Sequence, residues 1–101
     1  MLLNQKVNPM SLETKSIRVK FFGSLREFGD AKTAEIVINT APSVKELRSA
    51  LFNHLMQSHP GSKATEILKD SAFADERSVL SPDATLEGRS WIAVLPPVCG
   101  G

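Results

Sequence analysis

The sequence predicts an α+β domain: a mixed sheet with one main helix packed on one face and a protruding C-terminal tail. Three observations predict it. Residues 17–22 and 34–39 are strand-like runs joined by a short connection, as in a hairpin. A long amphipathic run follows, with a helix start signal at Ser43. The last apolar run, residues 91–95, is closed by Pro96-Pro97. A hairpin, a helix and a returning strand bury their apolar faces by laying the helix across one face of the sheet.

The chain has 101 residues, enough for one domain with one core. Its apolar fraction of 42% is that of a globular protein, which argues against wholesale disorder. Twelve basic and eleven acidic residues leave a net charge of +1, and no two Lys or Arg are adjacent. That balance offers no electrostatic footprint for nucleic acid or a membrane surface. The single cysteine, Cys99, rules out an intrachain disulfide and favours a reducing, cytoplasmic setting. No apolar run approaches the roughly 18 residues of a membrane helix. The first residues lack the charged start and apolar middle of a secretion signal, and residues 1–14 read as a disordered extension. A domain over residues 15–95 and a tail over 96–101 complete the division. His54 and His59 are five apart, off a common helix face and without partner ligands, so no metal site is expected.

In the first strand, Ile17, Val19 and Phe21 alternate with Arg18 and Lys20 and form its core face. Phe22 then falls on the polar face, either as a singly exposed ring or as part of a binding patch. Gly23 ends the strand. Leu25 and Phe28, three apart, fit one helical turn tucked inward, before a Gly29-Asp30 turn. The second strand, residues 34–39, is rich in β-branched residues. Pro42 breaks it, and Ser43 caps the helix with Glu46 as its capping-box partner. Val44, Leu47, Leu51 and Leu55 make one apolar stripe, and Lys45, Arg48, Ser49 and Asn53 take the other side. The helix should reach about Gln57, ahead of Pro60-Gly61.

Residues 62–70 suit a shorter helix with Ile67 and Leu68 inward. Residues 71–74 and 78–80 read as short strands around a turn at Asp75-Glu76-Arg77. Leu86 plugs the core before a turn at Glu87-Gly88-Arg89. The last strand, Trp91-Ile92-Ala93-Val94-Leu95, is apolar throughout, as in a central strand covered on both sides. With Ile92 and Val94 toward the helix, Trp91, Ala93 and Leu95 face the other way. In the opposite register Trp91 is a core ring, since register is poorly fixed in all-apolar runs. Pro96 and Pro97 hold the exit path near polyproline geometry. Val98, Cys99, Gly100 and Gly101 follow. At about 3.3 Å per residue, residues 96–101 extend roughly 20 Å as an arm that ends in a glycine carboxylate.

These residues resemble a known family. Ile17-Arg18-Val19-Lys20-Phe21-Phe22-Gly23-Ser24-Leu25-Arg26-Glu27, the capped helix after Ala41-Pro42-Ser43-Val44, the Leu86-Glu87-Gly88 turn and the Leu95-Pro96-Pro97-Val98-Cys99-Gly100-Gly101 ending are similar to the small subunit of molybdopterin synthase. That subunit is one of the MoaD/ThiS sulfur carriers. The likeness covers residues 16–101 and rests most heavily on the ending. It implies a ubiquitin-like β-grasp, with the first and last strands parallel and adjacent. Three positions depart from the family pattern. Arg89 stands where a second acid usually flanks the turn glycine, Asp75 where an asparagine is common, and Cys99 where a small hydroxyl residue is common.

The resemblance implies that an E1-like enzyme uses ATP to adenylylate the Gly101 carboxylate, and that a persulfide sulfur converts it to a thiocarboxylate. No bound cofactor is implied. Two loaded carriers would then give their sulfurs to cyclic pyranopterin monophosphate. Gly100 and Gly101 let the tail thread into two different active sites, because glycine lacks a Cβ. The implied partners are the large synthase subunit, in a 2+2 heterotetramer, and the activating enzyme. Phe22, Leu95, Trp91 and the tail residues Pro96, Pro97, Val98 and Cys99 would meet them. Cys99 is read as a small apolar filler rather than a participant in sulfur exchange, since an ordinary exposed thiol holds little thiolate at neutral pH. The alternatives are a sulfur carrier for thiamin, cysteine or tRNA thiolation, a ubiquitin-like protein modifier, and a plain interaction module.

Overall fold

The computed structural model describes residues 14–97. The expectations for residues 1–13, Val98, Cys99, Gly100 and Gly101 lie outside the described residues. In chain order come β1 (Lys15–Phe21), a 3-10 segment (Gly23–Phe28), β2 (Glu35–Thr40), α1 (Val44–Ser58), α2 (Ala64–Lys69), β3 (Ala72–Ala74), β4 (Val79–Leu80) and β5 (Trp91–Leu95). The five strands form one mixed sheet in the order β2-β1-β5-β3-β4. β1 and β2 are an antiparallel hairpin. β5 returns parallel to β1, as the resemblance implied, with Val19 opposite Ile92 and Phe21 opposite Val94.

One face of the sheet is buried under α1. Ile17, Val19 and Phe21 from β1, Phe73 from β3, and Ile92 and Val94 from β5 meet Val44, Leu47, Leu51 and Leu55. At roughly 1.5–3 kcal/mol for each full burial, this layer supplies most of the drive to fold. Leu25, Leu68 and Leu86 close its ends, each with no exposed surface. The anticipated register of β5 is the observed one, and Trp91 is not a core ring.

The start of α1 carries the anticipated Ser43 cap, but the box is not reciprocal, because the Ser43 N–H donates to the Ala41 carbonyl at 2.8 Å and not to Glu46. The Glu46 N–H donates to Ser43 Oγ at 3.2 Å, and the Ser43 hydroxyl reaches Glu46 Oε1 at 3.0 Å. Two side chains read as solvated are not idle. His59 is half-buried, its ring edge-on to Phe28 at 5.0 Å between centroids. Arg48 donates to the carbonyls of Leu68 (2.8 Å) and Ser71 (3.0 Å) with its guanidinium 4.6 Å from the Phe73 ring centre. It thereby ties the end of α2 and the start of β3 to the main helix. At the far end of the sheet, Lys15 Nζ donates to the carbonyls of Leu86 (2.9 Å) and Arg89 (2.7 Å). That clamp secures the turn in which Gly88 takes a φ of +80°, a conformation suited to glycine.

Candidate functional site

The sheet face opposite α1 carries no helix among the described residues. Strand pairing arranges its side chains in rows. Arg18 lies beside Trp91. Lys20, Ala93, Ala74 and Val79 form the next row. Leu95 and Ala72 form the third, and continuing the β1–β5 register brings Phe22 beside Leu95. Phe22 is 44% exposed and Val79 64% exposed, while the alanines between them are small. The result is an apolar strip with a low centre and aromatic or branched edges. Sequence reading found Phe22, Leu95, Trp91 and Ala93. It missed Ala72, Ala74 and Val79, because three-residue and two-residue strands carry too little periodicity to assign a face.

The strip is edged by charge on one side. Lys20 Nζ sits 4.3 Å from the centre of the Trp91 ring, close enough for a cation–π contact. Arg18 reaches Glu35 at 3.4 Å on the same face. Trp91 is half-buried and Leu95 is half-buried, so each offers an apolar side without being lost to the core.

The exit of the chain is built at the same end. Phe22 holds extended backbone at φ −126° and ψ 161° and leads into the 3-10 segment. Gly23 then takes a φ of +58°, and a Cβ built on it would lie 2.9 Å from Pro96 Cγ. The absent side chain of Gly23 is therefore the space the Pro96 ring occupies. Pro96 has no N–H to extend the ladder, so the sheet ends there. Pro97 is exposed beyond it. Gly23 was read only as a strand terminator. The signal for its second role is its place, one register step past Phe22 as Pro96 is one past Leu95.

The described residues hold no group of three or more His, Cys, Asp or Glu side chains arranged to bind a metal ion. No helix among them is long and apolar enough to cross a membrane. The best-defined polar cluster lies at the other end of β5. There Asp75 Oδ1 accepts from the N–H groups of Arg77 (2.8 Å) and Ser78 (2.9 Å), and Oδ2 accepts from Arg89 at 3.0 Å. Those backbone donors, joined by the guanidinium, hold the Asp75 carboxyl below the usual carboxylate range. Arg89 also donates to the Thr85 carbonyl at 2.8 Å. The arrangement ties two turns together and lies away from the tail.

Comparison with known proteins agrees with this fold. The model of the ThiS family matches residues 19–101. Among solved structures, the chain is similar to one from a protein–protein complex of subunits 1 and 2 of molybdopterin-converting factor from Helicobacter pylori 26695. The two are 30% identical with a TM-score of 0.54, and the match covers 86% of this chain and all of the other. No curated protein matches the chain by sequence.

Proposed function

The chain belongs to the ThiS family, the MoaD/ThiS group of ubiquitin-like β-grasp proteins, and from that premise we propose that it is the sulfur-carrier small subunit of a molybdopterin synthase. A sulfur-carrier role is the common property of the group; the choice of molybdopterin as the product is ours. It draws on the likeness to the Helicobacter pylori complex and on the Phe-Phe and Arg-Glu pairs at residues 21–22 and 26–27.

The chemistry is that of a carboxylate made reactive. A carboxylate is a poor electrophile because its charge is delocalised and its oxygen is a poor leaving group. An E1-like partner would use ATP to form the Gly101 acyl-adenylate, releasing pyrophosphate. A persulfide sulfur would then displace AMP to give an acyl disulfide, and a second thiol would attack its outer sulfur, leaving the thiocarboxylate on Gly101 and a disulfide between the two thiol sulfurs. That sulfur is nucleophilic and would attack cyclic pyranopterin monophosphate to form a thioester, and water would then cleave the acyl–sulfur bond, leaving the sulfur on the product and a carboxylate on Gly101. Each carrier delivers one sulfur, so the two sulfurs of the dithiolene call for two loaded carriers, in keeping with a 2+2 heterotetramer. The carrier itself needs no bound cofactor, and the acid–base groups for transfer belong to the large subunit.

The observation that carries this reading is the joint between the apolar strip and the chain exit. Phe22 and Leu95 stand at the end of the sheet where the chain leaves β5 at Pro96, which packs on Gly23. A partner that docks on the strip is therefore positioned to receive the tail. The test is the intact mass of the protein after incubation with its activating enzyme, ATP and a sulfur source. Replacement of one oxygen by sulfur, mapped to Gly101, supports the carrier; an unchanged mass beside a working control carrier refutes it.

A second reading is a related sulfur carrier that serves thiamin, since the family matched is that of ThiS. It shares the tail chemistry and differs in the acceptor. Sulfur from the loaded protein appearing in a thiazole precursor, and not in a pyranopterin, would favour it.

A further inference from the structure

We propose that the outer edge of β2 pairs with the same edge of a second copy of this chain, forming a weak antiparallel dimer with one continuous sheet. Among the described residues β2 is an edge strand, with β1 on one side only. The Phe21 N–H donates to the Ala34 carbonyl at 2.9 Å, which fixes the alternation of the ladder. Ile36, Ile38 and Thr40 then bond to β1, while Glu35, Val37 and Asn39 turn their main-chain groups outward. The Glu35 carbonyl accepts from the Asp30 N–H at 2.9 Å, and beyond the strand the Ala41 carbonyl accepts from the Ser43 N–H at 2.8 Å. The stretch left open is bounded at both ends and centred on Ile38.

That stretch is self-complementary. In an antiparallel pair with its two-fold at Ile38, Val37 of one copy lies opposite Asn39 of the other. Each N–H of Val37 and Asn39 donates to the facing carbonyl, so four hydrogen bonds use every outward main-chain group of Val37 and Asn39, while the Glu35 N–H stays at the solvated rim of the pairing. On the helix side the two Ile38 side chains meet at the axis, flanked by Ile36. Both isoleucines are only half-buried in the single copy and already pack against the core. On the other side Val37, 66% exposed, gains cover. No like charges are brought together, because the one charged residue of the strand, Glu35, is paired with Arg18 in its own copy. Residues 35–40 also lack the devices that usually guard an edge: they contain no lysine and no proline.

The two-fold runs perpendicular to the sheet, so both α1 helices lie on one side and the two chain exits point in opposite directions. The pairing leaves Phe22 and Leu95 uncovered, which separates it from docking on the apolar strip. So short a contact buries far less than the ~800 Å² per partner of a standard interface, and association is expected only near millimolar protein.

The test is amide hydrogen exchange and sedimentation of the full chain from about 10 μM to about 1 mM. Protection of the Val37 and Asn39 amides that rises with concentration, together with a growing dimer fraction, is the expected result. Val37→Pro removes an N–H that faces away from β1, which an edge strand tolerates. It should reduce self-association at least tenfold and leave the core amides of Val19 and Leu51 protected. The proposal is overturned if the two amides exchange freely at every concentration. It is equally overturned if they are protected independently of concentration, which would mean that the chain covers its own edge. The wild-type exchange series stands even if the proline variant does not fold.

Discussion

Gly23 and Pro96 share one site: the ring of Pro96 fills the place where a Gly23 side chain would stand, 2.9 Å from the built Cβ to Cγ. A φ of +58° reserves the position further, since a β-branched residue there is a steric outlier. Gly23→Val should cost about 1–2 kcal/mol from backbone strain alone and push Pro96 aside. Chemical denaturation reads the first effect. Amide shifts concentrated between Trp91 and Pro97 read the second. A variant of wild-type stability with unmoved Trp91–Pro97 signals would sink the idea that this glycine seats the exit.

Gly29 is tighter still, and against backbone rather than a side chain. A Cβ there would lie 2.6 Å from the Ala34 carbonyl carbon and 2.8 Å from the Glu35 nitrogen. Ala34 itself sits at φ +58°, so the connection crosses itself in a strained conformation. No rotamer change relieves a main-chain contact. Gly29→Ala is expected to destabilise by about 2–3 kcal/mol, in the range of overpacked cores, and to speed exchange of the Phe21 and Asp30 amides, which donate to the Ala34 and Glu35 carbonyls. Wild-type unfolding of this variant would show that the connection is looser than drawn.

These two glycines mark how far the sequence could be read. A period-2 pattern located β1 and a period-3.6 pattern located α1, because each is long enough for the pattern to repeat, while β-branched content located β2 and a continuous apolar run located β5. The Ser43–Glu46 box located the helix start from two residues. The apolar strip was half legible: Phe22 and Leu95 follow from parity along two long strands, whereas Ala72, Ala74 and Val79 sit on strands of three and two residues. Arg89 and Asp75 looked like two separate departures from a family pattern. In the structure they are partners at 3.0 Å, a relation between residues fourteen apart that no local rule supplies. The Gly23–Pro96 contact is of the same kind, since it depends on which strand lies beside which.

The Asp75 cluster predicts a pH dependence. Its carboxyl is held below the usual range by the Arg77 and Ser78 N–H groups and by Arg89. A depressed carboxylate stabilises the fold above its unfolded pKa, about 3.9, and that contribution is lost as pH falls through the lower folded value. Asp75→Asn keeps an acceptor for the backbone donors but gives up the charge. Its melting temperature should lie below wild type at pH 7, and the gap should close as pH drops below about 4. A gap that is constant with pH would mean that charge at this turn contributes nothing.

Phe22 and Leu95 test the apolar strip. Phe22 is exposed and lies outside β1, so Phe22→Asp should leave the melting temperature within about 2 °C. On the proposed function it should weaken binding to the large subunit by tenfold or more, since a charge would be buried without a partner. Lys20→Ala removes the cation over Trp91 and should matter less, because an exposed cation–π contact contributes only about 0.5–1 kcal/mol. Titration calorimetry with the large subunit measures both. Equal affinity for Phe22→Asp and wild type would remove Phe22 from the interface.

The tail is the last and most direct test, and it separates chemistry from docking. Gly101→Ala adds one methyl beside the reacting carbon, six positions past the end of β5, and thermal unfolding is expected not to change. On the proposed function the acyl-adenylate forms inside the activating enzyme, where the narrow approach that glycine allows would be lost once a Cβ is present. Thiocarboxylate formation, followed by intact mass, is expected to fall at least a hundredfold, in the range that small misplacements of a reacting group produce. Binding to the large subunit through the apolar strip should fall much less. Cys99→Ser provides the internal control: as an apolar filler it should load and transfer sulfur at the wild-type rate. If Gly101→Ala loads normally while Cys99→Ser does not, the working group of the tail is the thiol and not the terminal carboxylate.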